Sequence, residues 1–433
     1  MPAAPVARPR PGLRSGLPVL LALMACAPAV AIRIGGGHPT PVVAAVIYGT
    51  AVVGAAFMLA WAAEVVQLDI SAGLALALLA LIAVLPEYAV DFVFTWKAGK
   101  DPAAYAPDAL ANMTGGNQLL IGVGWSMVVL IAAWRIRVGR RRAGDPPGPF
   151  DHEVTLSRPH SVEIAFLVLA TVYGLTLPLH RTLTLIDSVI LVGLFAAYIV
   201  RVARAPAEPP HLVGPARAIG TLPQTQRRAV TVGLFLAAVV VILLCAEGFA
   251  ESLIETGEQF GIDDFVLISL VAPLASEAPE LLVAGLFAWR LQSDTGLGAL
   301  VSSKVNQWTL LVGTLPIVFA ISSQSLHGLP IDAVQREELF VTAAQSAFAV
   351  AVLADRTINV REALTMLGLF FVQLLTKLPL FEPIHGPARI TVGIVYLVLA
   401  AVIVTRERRR WPGLVRDGLR RPYSELAEEL PTH

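Results

Sequence analysis

The residues best placed to do chemistry lie inside an apolar run, Val271-Ala-Pro-Leu-Ala-Ser-Glu-Ala-Pro-Glu280. Glu277 and Glu280 are ionisable where a membrane-spanning helix is normally uncharged, at a cost of roughly 2.5–3.5 kcal/mol each or more. Pro273 and Pro279 withhold an N–H from the helical ladder, so main-chain carbonyls in the preceding turn need another partner. Carboxylates beside released carbonyls are what a hard cation seeks. A second such stretch, Leu85-Pro86-Glu87-Tyr-Ala-Val-Asp91, lies far upstream. Asp91 follows Glu87 at i+4 and Glu277 precedes Glu280 by three, so each pair shares a helix face.

These stretches sit in a strongly apolar chain. Of 433 residues, 56% are hydrophobic and 15% charged, and the mean hydropathy is +0.70. Soluble domains carry about 25% charged residues, so the composition specifies an all-α polytopic membrane protein. Cys26 and Cys245 both fall in apolar runs and suggest no disulfide framework. Seven of the eight histidines fall outside the expected spans and the eighth, His160, stands at the very end of one, which argues against an imidazole-rich transition-metal site. HExxH and GxSxG arrangements are absent from the sequence, so intramembrane hydrolysis has no support. The sequence implies no enzyme, no cofactor and no nucleic-acid partner.

Runs long enough to span a bilayer, on the rule of about 20 apolar residues, are expected near 17–34, 42–66, 70–97, 108–134, 160–179, 182–203, 228–250, 264–290, 297–321, 338–354, 362–379 and 388–405. The first follows Arg8, Arg10 and Arg14 and has the look of a signal peptide, but is read as a helix because another span follows closely. With both termini in the cytoplasm, inside segments hold 24 of the 32 basic residues and outside segments hold 7, leaving Lys304 within a span. That asymmetry obeys the positive-inside rule, and a bacterial inner membrane is the expected location. The division expected is a tail and first helix over 1–41, a first half over 42–203, a cytoplasmic linker over 204–227, a second half over 228–379, and a last helix and cytoplasmic tail over 380–433. The amphipathic tail after Trp411 is read as a solvated segment near the membrane surface.

The two halves repeat. With Glu87 laid on Glu280, Pro86 meets Pro279, Phe94 meets Phe287, Trp96 meets Trp289 and Lys97 meets Arg290; a small length difference later, Asn117-Gln118 meets Asn306-Gln307 and Gly124 meets Gly313. Trp96 and Trp289 are explained as interfacial anchors, but the paired Pro-Glu is not. Five spans separate equivalent helices. The copies are therefore expected to be inverted, as two five-helix repeats plus one extra helix at each end. Inverted repeats with interrupted helices near the midplane are the architecture of secondary transporters.

The helix after each Pro-Glu adds polar groups: Asn112, Thr114, Asn117 and Gln118 in the first half, and Ser302, Ser303, Asn306 and Gln307 in the second. Amide, hydroxyl and carboxylate oxygens suit Ca²⁺, which takes about 6–8 of them, and the lack of thiolate or imidazole disfavours softer metals. On these motifs the chain resembles the calcium/cation antiporter superfamily, the sodium/calcium exchanger relatives. Leu85-Pro86-Glu87 with Ala111-Asn-Met-Thr-Gly-Gly-Asn117, and Ser276-Glu-Ala-Pro-Glu280 with Val301-Ser-Ser-Lys-Val-Asn306, stand where that family carries Ser-x-Pro-Glu-like and Gly-Asn-x-x-Gly-Ser-Asn-like segments. The resemblance implies that Glu87 and Glu280 are the central cation-binding carboxylates and that Asn112 is a ligand. Asp91, Glu277, Asn117, Asn306, Ser302 and Ser303 complete the expected donor set, with Lys304, Gln118 and Gln307 modulating it.

The chain departs from the family pattern where Ala83, Val84 and Leu85 precede the first Pro-Glu, where Glu277 replaces a hydroxyl residue, and where Lys304 stands opposite Gly115. The expected activity is exchange of Ca²⁺ for Na⁺ or H⁺ by alternating access, with Na⁺/H⁺ exchange as the alternative reading. Carboxylates so close in a low dielectric hold at least one proton between them and titrate as a unit. Protons or Na⁺ then compete with Ca²⁺ for the same oxygens. A channel would need a continuous polar path, which these apolar helices do not offer.

Overall fold

The computed structural model describes residues 13–69, 85–143, 152–205, 212–261, 264–377 and 384–427. Apolar runs form helices because a backbone in hydrocarbon must satisfy its own N–H and C=O groups. The first half contains α1 (Leu13–Gly35), α2 (Pro41–Val66), α3 (Leu85–Lys100), α4 (Pro102–Leu119), a π turn (Leu120–Trp125) running into α5 (Ser126–Ala143), β1 (Glu153–Thr155), α6 (Ser161–Gly174), β2 (Thr182–Leu183) and α7 (Leu185–Val202). A short α8 (Gly214–Gly220) leads to the second half: α9 (Gln224–Phe260), α10 (Asp264–Trp289), α11 (Ser293–Asn306), a second π turn (Gln307–Leu311), α12 (Val312–Ser323), β3 (Leu329–Pro330), α13 (Ala333–Val352), β4 (Thr357–Asn359) and α14 (Val360–Leu375). The chain closes with α15 (His385–Arg406), α16 (Trp411–Leu419) and α17 (Tyr423–Ala427).

Among the described residues, ten helical stretches are long and apolar enough to cross a bilayer. The other two expected spans are only partly described. Residues 70–84 of the 70–97 run, with Ala83 and Val84, lie outside the described residues, as do 378 and 379 of the 362–379 run, which is seen as the 16-residue α14. The fold is that of an all-α polytopic membrane protein.

The helices start where local chemistry lets them. Asp101 caps α4 by accepting the Ala104 N–H at 3.2 Å, with Pro102 in the first turn, where a missing N–H costs nothing. Both α7 and α14 open with a capping box, Thr184 with Asp187 and Asn359 with Glu362. These boxes fall in matching octapeptides, His180-Arg-Thr-Leu-Thr-Leu-Ile-Asp187 and Asp355-Arg-Thr-Ile-Asn-Val-Arg-Glu362. Their strands cross-pair: β1 with β4 (Val154↔Ile358) and β2 with β3 (Leu183↔Leu329), both antiparallel, each joining a strand of one half to a strand of the other.

The expected interruption by proline does not occur in α10, which runs unbroken through Pro273 and Pro279. The irregularities fall one helix later, as the two π turns that follow Asn117-Gln118 and begin at Gln307. A single π turn inserts a residue into the helical ladder and rotates the side chains beyond it. It does in each second helix what a proline break was expected to do in the first.

The apolar interior divides in two. One cluster joins α1, α2, α8 and α9 to one face of α3, α4 and α10, and the other joins the remaining faces of those three helices to α5 to α7 and α11 to α17. Helices α2 and α9 interlock through glycine notches: a Cβ at Gly49 would stand 3.0 Å from Phe249, and one at Gly248 would stand 2.8 Å from Tyr48. The tail after Trp411 is not a solvated arm. Leu414 and Asp417 are buried, Gly418 lies against the Ser161 carbonyl, and Asp417 pairs with Arg158 at 2.9 Å. Arg201 donates to the carbonyls of Gly418 at 3.1 Å and of Arg421. One buried acid and one arginine are enough to turn an amphipathic tail into a docked one.

Candidate functional site

Four helices meet at the centre. α3 brings Glu87 and Asp91, α10 brings Glu277 and Glu280, and the ends of α4 and α11 bring the amides. The crossing of α4 and α10 is unusually close because two features coincide. Pro273 has no N–H to give the carbonyl of Ser269, four residues earlier. That carbonyl faces Gly115, where a Cβ would stand 1.9 Å from it. The next residue, Gly116, faces carboxylates instead: its Cβ would lie 2.9 Å from Glu277 Oε1 and 3.1 Å from Glu87 Oε1.

Glu87 and Glu277 are therefore neighbours, joined by one amide. Gln307 Nε2, on the second π turn, donates to Glu277 Oε1 at 2.8 Å and to Glu87 Oε2 at 3.1 Å. Both acids are buried, at 4% and 2% exposure. Asp91, fully buried one turn beyond Glu87, accepts from Asn112 Nδ2 at 2.7 Å. Glu280 is half-buried and accepts from Ser303 at 2.7 Å. The Glu87 carboxylate thus shares its amide donor with Glu277, while Glu280 is served by a separate hydroxyl.

Four oxygens of the carboxylates and of Asn112, namely Glu87 Oε1, Asp91 Oδ2, Asn112 Oδ1 and Glu277 Oε2, are buried with no hydrogen-bond partner. Each such atom costs about 1–3 kcal/mol unless something satisfies it. All four are acceptors and belong to residue types that coordinate hard cations. Among the described residues no three His, Cys, Asp or Glu side chains converge as a metal cluster on their own, and the unpartnered oxygens gathered here mix carboxylate with amide.

The remaining expected residues divide. Asn117 donates to the Met113 carbonyl at 2.9 Å and accepts from Lys304 Nζ at 2.6 Å through its side-chain oxygen. Lys304 is wholly buried. Asn306 is buried next to Gln307. Ser302 faces away from the carboxylates and bonds Tyr198 at 2.7 Å. Gln118 also points elsewhere, donating to Glu338 at 3.1 Å and to Thr342 at 2.7 Å.

Gln118 leads to a cluster that the sequence reading missed. Glu338 on α13 is fully buried, with Lys377 Nζ 3.2 Å from one oxygen and Arg389 Nε 3.3 Å from the other. Lys377 also reaches Ser269 on α10 at 3.5 Å. All three charges lie near ends of apolar runs, where they read as interfacial. The matching octapeptides supply the missed signal: extended back along the helices, that alignment sets Glu163 opposite Glu338. Glu163 is itself partly buried, 3.7 Å from His160. Glu64 and Glu247 also have structural partners, the Val213 N–H at 3.3 Å and Arg33 at 2.5 Å.

Comparison with known proteins identifies the family. A family profile described as sodium/calcium exchanger protein matches residues 40–203 and 230–378. A crystal structure of the H⁺/Ca²⁺ exchanger CAX is 39% identical, with a TM-score of 0.84 over 94% of this chain and 98% of that one. The native structure of YfkE is 14% identical, with a TM-score of 0.58 over 88% of this chain and 100% of that one, and shares the fold. No curated protein sequence matches the chain. With both halves matched by one family profile, and with a solved exchanger similar along nearly its whole length, the chain belongs to the sodium/calcium exchanger protein family of membrane transporters.

Proposed function

We propose that this chain is a secondary active antiporter that exchanges Ca²⁺ for H⁺ or Na⁺ at the central carboxylate–amide site. The observation that carries the reading is the group of buried, unpartnered acceptor oxygens on Glu87, Asp91, Asn112 and Glu277. A divalent cation supplies the charge they lack. Proton exchange is the favoured partner reaction because the solved relative at 39% identity is described as an H⁺/Ca²⁺ exchanger. Na⁺/H⁺ exchange is the second reading, and the buried Lys304 favours it, since an ammonium there would offset one carboxylate.

Exchange follows from competition. When Ca²⁺ leaves, Glu87 and Glu277 remain side by side in a dry site, and protons or Na⁺ must replace the lost charge. Glu280 with Ser303, and Asp91 with Asn112, are the flanking donors. Two inverted halves sharing one site give alternating access when one part of the bundle moves against the other. The α2–α9 pair, interlocked through Gly49 and Gly248 and packed in one of the two apolar clusters, is the candidate moving part. The arginine-rich end, with both termini, faces the cytoplasm in this reading.

The test is Ca²⁺ flux in proteoliposomes under separately imposed H⁺ and Na⁺ gradients. Uptake driven against a Ca²⁺ gradient by H⁺ alone, and saturating with Ca²⁺, is the expected result. Flux that needs no counter-ion and does not saturate would mean a channel.

A further inference from the structure

The central site holds a lysine of its own. Lys304 lies in the last turn of α11, wholly buried. Its Nζ donates to the side-chain oxygen of Asn117 at 2.6 Å and to the main-chain carbonyl of Asn117 at 3.1 Å, and stands 4.8 Å from the centre of the Trp308 ring. A lysine snorkelling to the interface would bury its stem and leave its ammonium in water; here the ammonium crosses to α4 and is enclosed.

An amide oxygen, a main-chain carbonyl and the face of an indole are the surroundings of a bound monovalent cation. The aligned segment carries no such side chain. The equivalent position on α4 is Gly115, which has no side chain and lies against the Ser269 carbonyl. One half closes its helix crossing with bare backbone, and the other sends an ammonium into the space between the halves.

Resting on the central-site reading above, we propose that Lys304 is a tethered cation: its ammonium permanently fills one monovalent position of the site, bounded by the two Asn117 oxygens and the Trp308 ring. The chain therefore binds and moves one fewer monovalent ion per cycle than it would with a neutral residue at 304. Because the tethered charge never leaves, it offsets one carboxylate in every state, including the return of the Ca²⁺-free site.

The experiment compares wild type with Lys304→Met, Lys304→Gln and Lys304→Arg as full-length protein. Reversal potentials in proteoliposomes give the number of monovalent ions exchanged per Ca²⁺. The expected result is one more for Met and Gln and no change for Arg. Unchanged stoichiometry in the neutral variants overturns the proposal. Should the neutral variants not transport, their thermal stability is titrated with Na⁺ and with K⁺ at constant ionic strength. A saturable stabilisation larger than in wild type supports the proposal, and the absence of any gain in both variants overturns it. Glu87→Gln and Glu280→Gln run alongside separate the two failures. If exchange survives in both, the central-site reading falls; if they abolish exchange while Lys304→Met keeps wild-type stoichiometry, only the tethered cation falls.

Discussion

Gly116 on α4 faces Glu277 on α10 so closely that any side chain there must displace the carboxylate: a Cβ would stand 2.9 Å from its oxygen. The obstacle is the end of a flexible side chain, so Gly116→Ala is expected to fold with little loss of stability. The added methyl occupies the space where Glu277 and Glu87 meet. Ca²⁺ affinity should fall about tenfold or more, equivalent to ~1.4 kcal/mol of lost binding, as measured by Ca²⁺ titration of the purified protein. Wild-type affinity in Gly116→Ala would remove the Glu87–Glu277 pair from the site.

Its neighbour gives the opposite result. A Cβ at Gly115 would stand 1.9 Å from the main-chain carbonyl of Ser269, which cannot swing aside. Gly115→Ala should therefore push α4 and α10 apart and destabilise the protein by about 3 kcal/mol, at the upper end for overpacking. Thermal unfolding in detergent checks this, and a midpoint equal to that of Gly116→Ala would contradict the close crossing.

The paired Pro-Glu motifs were legible because burying an acid in an apolar run is costly enough to be conspicuous in one sequence. Ten helices of spanning length were legible for the same reason, through hydropathy alone. Proline was a poorer guide. α10 passes through Pro273 and Pro279 without a break, and the distortion sits in the π turns beside Gln118 and at Gln307, which no residue type announces. Nor could spacing tell that Glu87 would share an amide with Glu277 while Glu280 took Ser303, since three residues along a helix separate both choices only by rotation. Glu338, Lys377 and Arg389 were hidden because each sits near the end of its own apolar run, and their pairing depends on three helices meeting.

That ion cluster predicts a stability effect away from the site. Glu338 lies between Lys377 and Arg389 with both oxygens engaged. Glu338→Leu leaves two buried cations short of a partner and should cost about 3–5 kcal/mol. Adding Lys377→Met should recover part of that loss, with Arg389 still held by Glu337 at 3.0 Å. Unfolding midpoints of the single and double variants decide it; a double variant less stable than the single one would mean that Lys377 does not depend on Glu338.

Asp69, beyond the end of α2, predicts a pH effect. Hydrogen bonds from Arg227, with Arg228 and Gln224 adding to them, hold its carboxyl down at about 2. A lowered folded-state value means that the stabilisation is complete above the unfolded value of about 3.9 and is lost as pH falls through about 2. Asp69→Asn should lower stability at neutral pH by about 1 kcal/mol, the scale of an ion pair near the surface. The gap between variant and wild type should stay constant above about pH 4 and close below it. A gap that widened on acidification would contradict the pairing.

The central claim is that Ca²⁺ passes through the carboxylates of Glu87 and its neighbours. Its most direct test is radioactive Ca²⁺ uptake into proteoliposomes under an imposed H⁺ gradient, comparing wild type with Glu87→Gln and Glu280→Gln reconstituted in equal amounts. The account predicts saturable, gradient-dependent uptake by wild type and its loss in both variants. Uptake at the wild-type rate by both would contradict it.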